Sequence, residues 1–203
     1  MALPQELQDW FIPLSEGRLT LAEARRELAT IGFPQDAIPL IVQLVENPKY
    51  DLPGVELFDG AADLDTHDNI HILLGRGLLP KDEAFVLGFT MGSTNRVGPV
   101  EEKLYELFSR YLYPRDYRFS AEDFAVYRDA LRLGQISRCE PLHRVDYESL
   151  MPLDLASARR KAGIEVDLLR ASYRIEKRRY PQAPESRRLL ARPIPCGPSA
   201  GSN

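Results

Sequence analysis

The chain is predicted to be all-α: one bundle-like domain of many helices with a basic, partly disordered C-terminal tail. Three observations lead there. Apolar residues recur at i, i+3, i+4 and i+7 along most of the sequence. Helix start and stop residues stand at the ends of those stripes. No segment shows the two-residue alternation of a strand, and no repeat is visible.

Each element has its own warrant. In Pro4 to Leu14, Leu7, Trp10, Phe11 and Leu14 make one apolar stripe. Thr20 caps the next helix, Glu23 completes a capping box, and Leu21, Ala24, Leu28 and Ile31 face inward before Gly32 and Pro34 stop it. Asp36 to Val45 is a third, short helix. Residues 51–65 are irregular and acidic. A helix from Asp65 to Leu74 exits at Gly75 and Gly77, and Pro80 with Lys81, Asp82 and Glu83 opens another through Met91. Glu101 to Tyr113 is amphipathic, and Ser120 with Asp123 starts a helix that runs to Gly134. A short piece at Tyr147 to Met151, a helix from Asp154 to Ala162 and a basic helix over Val166 to Arg179 complete the set. Beyond Tyr180 the prolines 181, 184, 193, 195 and 198 predict an extended, largely disordered end. The expected organisation is a helical segment over 1–50, a central helical domain over 51–165, and a basic helix and tail over 166–203.

Composition excludes several classes. An apolar fraction of 44% and a charged fraction of 28% are those of a soluble globular protein, and no apolar run approaches the roughly 20 residues of a membrane span. The N-terminus lacks a secretory pattern, so a cytoplasmic protein is expected, with peripheral membrane contact as an option. Cys139 and Cys196 lack metal or redox spacing. Residues 1–154 hold 15 Lys/Arg against 26 Asp/Glu, and residues 155–203 hold 11 against 4. Such a basic end either meets an anionic surface or partner, or folds back on its own acidic body. There is no clear nucleic-acid signal.

The chemistry-bearing motif lies in the acidic body. His67-Asp68-x-x-His71 is followed, after eleven residues, by Glu83, and only His143 lies outside this stretch among the three histidines. On a helix His67 and His71 share a face, and Asp68 can reach the same side. The Gly75-Arg76-Gly77 link permits a reversal that folds Glu83 back on them. Imidazole and carboxylate donors suit zinc, iron, manganese, cobalt or magnesium. With Asp68 as fourth ligand the site is closed; with Asp68 orienting a histidine, a position stays open for water or substrate. Asp59, Asp63 and Asp65 could add a ligand or support one. His143, after Pro141, reads as an ordinary surface or satisfied histidine. A phosphohydrolase of the His-Asp type needs a further upstream histidine, and none precedes His67. Gly88 and Gly92 leave a flat strip where a helix or a ligand chain can approach.

This motif resembles the signature of the coenzyme Q (ubiquinone) biosynthesis protein 4 family. Arg132-Leu133-Gly134-Gln135-Ile136-Ser137 is similar to the family's basic, glycine-containing stretch. Tyr147-Glu148, Pro152-Leu153 and Ala158 to Ile164 are similar to its closing pattern. The likeness covers residues 60–165, and it departs at Asp82, where the family usually has glycine. The resemblance implies an all-helical protein whose His67, Asp68, His71 and Glu83 bind a divalent metal beside an apolar groove for a prenyl-lipid tail. Phe85, Gly88, Phe89, Met91 and Gly92 would line that groove. It also implies a role in isoprenoid-quinone synthesis: catalysing or scaffolding head-group modification of the ring-decarboxylation type, as a lyase or oxidoreductase. The partners would be a prenyl lipid, an anionic membrane surface, and a second copy or an enzyme complex. The rival expectations are a non-catalytic helical interaction protein with a structural metal, and a metal-dependent hydrolase.

Overall fold

Helices make up all regular structure among the residues described in the computed structural model, 9–31, 64–94 and 119–191, apart from one isolated bridge between Thr20 and Asp154. In chain order they are α1 (Leu21–Ile31), α2 (Leu64–Leu74), α3 (Pro80–Ser93), α4 (Ala121–Ile136), α5 (Leu155–Lys161), α6 (Val166–Arg179) and α7 (Pro184–Arg188). A single 3₁₀ turn, Leu142–Arg144, lies between α4 and α5. The expected helices over 36–45 and 101–113 and the irregular stretch over 51–63 lie outside the described residues, as does Cys196.

The helices start where short polar side chains can satisfy the first free amides. Thr20 Oγ1 accepts from Glu23 N at 3.2 Å, and Glu23 answers by accepting from Thr20 N at 2.8 Å. The same reciprocal box joins Ser120 and Asp123 at the head of α4, at 3.2 and 2.7 Å. Asp154 accepts from Ser157 N at 2.9 Å and opens α5. Pro80 occupies the first turn of α3, where its missing N–H costs nothing, and Asp82 accepts from Leu79 N at 3.3 Å.

Two expectations are corrected. The stripe Leu7, Trp10, Phe11, Leu14 is not helical from Trp10 onward, because Pro13 removes a donor and pushes Ile12 toward extended backbone. Trp10, Ile12 and Leu14 are buried all the same. The end beyond Tyr180 is ordered through Ala191: Pro184 serves as a helix-opening residue, Leu189 is buried, and Ser15 Oγ donates to Ala191 O at 2.6 Å. Residues 192–203 lie outside the described residues.

α3 is the axis of the fold. Every residue from Lys81 to Ser93 is buried, so it has no polar face to alternate with an apolar one. It lies against α4 along a strip of glycines. A Cβ built on Gly88 would sit 2.3 Å from Tyr127 O, and one on Gly92 would sit 2.1 Å from Leu131 O. Gly134 on α4 answers them, its own Cβ position being 2.4 Å from Phe89 O. The strip expected to receive a helix or a ligand chain therefore receives a helix. Buried apolar residues from Trp10 to Leu189 close one continuous core around α2 and α3.

Candidate metal centre

α2 ends in a left-handed glycine. Gly75, at φ +68°, turns the chain so that its own N–H meets Ile72 O at 3.1 Å and Arg76 N meets His71 O at 2.9 Å. The remaining carbonyls of that helix end are met from afar. Arg159, 2% exposed, donates to Ile72 O at 3.3 Å and Leu73 O at 2.8 Å, and to Leu14 O and Glu16 O at 3.0 and 2.5 Å. Tyr173 Oη donates to Leu74 O at 2.6 Å. Burial lowers the Arg159 pKa to about 10, so the guanidinium still carries its charge at neutral pH, at the negative end of the helix dipole.

This reversal brings Glu83, in the first turn of α3, onto the histidine face of α2. His67 Nε2 and His71 Nε2 are 3.0 Å apart. Glu83 Oε2 lies 3.2 Å from His67 Nε2, and Oε1 lies 3.4 Å from His71 Nε2. Three donors on a common cation, with bonds of about 2.0–2.1 Å and angles between 90° and the tetrahedral value, would stand roughly 2.8–3.4 Å apart. The observed triangle fits that size. It is also enclosed: His71 is fully buried, His67 is 1% exposed and Glu83 is 9% exposed. Beyond its 3.2 Å approach to His67 Nε2, Glu83 Oε2 makes no hydrogen bond among the described residues. A His67, His71, Glu83 cluster of this kind can hold a metal ion.

The fourth expected ligand stands apart. Asp68 is buried but is not part of the three-residue cluster, and its Oδ2 is taken by the Arg25 guanidinium of α1, which also reaches Asp65. Burial raises the Asp68 pKa, against the pull of Arg25 and the two imidazoles. Its Oδ1 makes no hydrogen bond among the described residues. Asp59 and Asp63 lie outside the described residues, and His143 stands half-buried in the 3₁₀ turn, outside the cluster.

The charges in the triangle shape one another. Burial alone would push the Glu83 carboxyl upward, but His71 and His67 outweigh it and hold it well below the usual carboxylate range. Burial likewise works against the charged form of His71, yet Glu83, Asp68 and Asp82 raise its pKa.

Gly77 makes a contact at the triangle that the motif did not disclose. Its carbonyl oxygen lies 2.7 Å from His71 Nδ1. A carbonyl only accepts, so Nδ1 carries the hydrogen and Nε2 faces the triangle. The paired glycines were a visible signal for a reversal, but not for this contact. Arg25, Arg159 and Tyr173 gave no local signal at all.

The expected lipid-groove residues divide. Gly88 and Gly92 face α4, Phe89 is buried in the core, and Met91 Sδ accepts from Tyr127 Oη at 3.2 Å. Phe85 lines a cavity of about 490 Å³ between α4 and α6, with Val126, Leu133 and Leu168. On its rim stand Ile136 and Ile175, 70% and 63% exposed, beside Arg132 and Arg179. No helix among the described residues is long and apolar enough to cross a membrane. Comparison with protein-family models, with curated proteins and with solved structures finds no match to this chain.

Proposed function

We propose that the protein binds one divalent metal through His67, His71 and Glu83 and uses it on an isoprenoid-quinone precursor, in a head-group modification of the ring-decarboxylation type. The observation that carries the metal part is the buried triangle of 3.0, 3.2 and 3.4 Å between two imidazole nitrogens and one carboxylate. Two imidazoles and one carboxylate leave coordination positions for water or substrate, as in catalytic zinc sites and the facial triads of non-haem iron. The metal, when bound, would polarise the ring carboxylate as a Lewis acid. The protein's own residues do the rest: Gly77 orients His71, Arg25 holds Asp68 beside the site, and the buried helices keep bulk water out.

The substrate class rests on the motif's resemblance to the coenzyme Q biosynthesis protein 4 family. The cavity lined by Phe85 is the place we assign to a prenyl tail, and the rim cations Arg132 and Arg179 suit an anionic head group or membrane surface. Fully filled coordination would instead favour the structural-metal reading.

The test pairs metal analysis with turnover. Purified protein should carry about one divalent ion per chain, and His71→Ala should lower occupancy tenfold or more while helicity persists. Loaded protein incubated with a prenylated hydroxybenzoate should release its ring carboxyl as carbon dioxide, and His71→Ala should not. Full occupancy without turnover would leave a structural metal. Unchanged occupancy in His71→Ala would remove the site.

A further inference from the structure

The C-terminal segment reaches both sides of the triangle through buried contacts. Arg76, fully buried in the reversal, forms a two-pronged pair with Glu176 of α6 at 3.0 and 2.5 Å. Its guanidinium lies 3.8 Å from the centre of the Phe85 ring and 4.3 Å from that of Tyr173. Glu176 also accepts from Ser186 Oγ of α7 at 3.0 Å, which ties α7 to the same anchor. Arg188 of α7 pairs with Asp82, the neighbour of the ligand Glu83. The same guanidinium closes over Gly77: a Cβ built there would stand 2.0 Å from Arg188 Nη2 and 2.6 Å from Trp10 O. The residue whose carbonyl meets His71 is thus packed against at its Cα by a side chain over a hundred positions away.

We propose that Arg188 and Glu176 are positioning residues of the metal centre, so that metal binding and docking of α6–α7 form one linked equilibrium. The inference rests on the metal reading above and deepens it. Arg188 packs on Gly77, whose carbonyl meets His71, and pairs with Asp82 at the end of α3 beside Glu83. Glu176 fixes Arg76, the residue before Gly77. Loosening either anchor lets the ligand helices separate. By reciprocity, an ion that draws the triangle together must tighten the segment's docking by the same factor.

The experiment uses the full chain and cobalt(II), whose affinity and visible spectrum are both readable. Arg188→Ala and Glu176→Gln should each weaken cobalt binding tenfold or more, within the range seen for groups that orient a ligand. Arg188→Lys, which keeps a charge toward Asp82, should recover part of the loss and part of the spectrum. Arg170→Ala breaks an exposed pair with Asp167 on the same segment and should leave cobalt binding unchanged. In the unaltered protein, cobalt should slow amide exchange over 184–191. Unchanged affinity in Arg188→Ala, or equal loss in Arg170→Ala, overturns the inference. Should Arg188→Ala fail to fold, exchange in the unaltered chain decides, and rates over 184–191 indifferent to cobalt overturn it. Absence of cobalt binding by the unaltered chain would instead overturn the metal reading itself.

Discussion

His71 donates its Nδ1–H to the carbonyl of Gly77 at 2.7 Å, and that bond decides what the other ring nitrogen can do. Nε2 faces the Glu83 carboxylate 3.4 Å away. A bare lone pair there would oppose a negative charge in a dry site. A proton, a cation or the Nε2–H of His67, 3.0 Å away, must meet that lone pair, and proton and cation compete for one nitrogen.

The competition sets a pH signature. In the metal-free protein the raised His71 pKa gives stability that is complete below 6.5 and lost as pH rises through the folded value. The lowered Glu83 pKa gives stability that is complete above 4.5 and lost as pH falls through its folded value. Chelated protein should therefore melt at a lower temperature at about pH 8.5 than at about pH 6. Metal-loaded protein should show the opposite trend, because acid displaces the ion. Thermal melts with and without chelator check this; parallel profiles would contradict it.

How far the sequence disclosed this arrangement varies residue by residue. The caps at Thr20, Ser120 and Asp154 were legible because capping is local chemistry between neighbours. The meeting of His67, His71 and Glu83 was legible because helical spacing and a glycine reversal constrain a short stretch. Asp68 was read as reaching the histidines; nothing local revealed that Arg25, 43 residues earlier, would take its carboxylate. The course of 181–191 was hidden for another reason. A five-residue helix shows no period, and Pro184 looks the same opening a helix as in a disordered tail. α3 was legible as a helix from its opening at Pro80, but its burial on all sides was not, because a helix without a polar face carries no stripe.

The glycine strip predicts a packing cost. A methyl at Gly92 would meet Leu131 O at 2.1 Å, so α3 and α4 must separate. Gly92→Ala should destabilise by roughly 1–3 kcal/mol. At about 2–4 °C per kcal/mol for a chain of this size, a melt by circular dichroism resolves the change. An unaltered melting temperature would mean that the helices do not lie this close.

Arg159 carries the end of α2. Arg159→Ala would strip a donor from the carbonyls of Leu14, Glu16 and Leu73 and leave a void in the core. We expect a loss of about 3 kcal/mol or more by denaturant titration. Arg159→Lys should restore little, since one ammonium cannot reproduce the spread of a guanidinium. Full recovery with lysine would show that charge alone matters there.

X-ray absorption at the edge of the native metal, on protein isolated without added ions, tests the central claim most directly. Two imidazole nitrogens at about 2.0–2.1 Å and one carboxylate oxygen are expected, with the remaining positions held by light solvent atoms. The same spectrum from His71→Ala should show one imidazole fewer. A scattering shell without imidazole, or no stoichiometric metal at all, would contradict it.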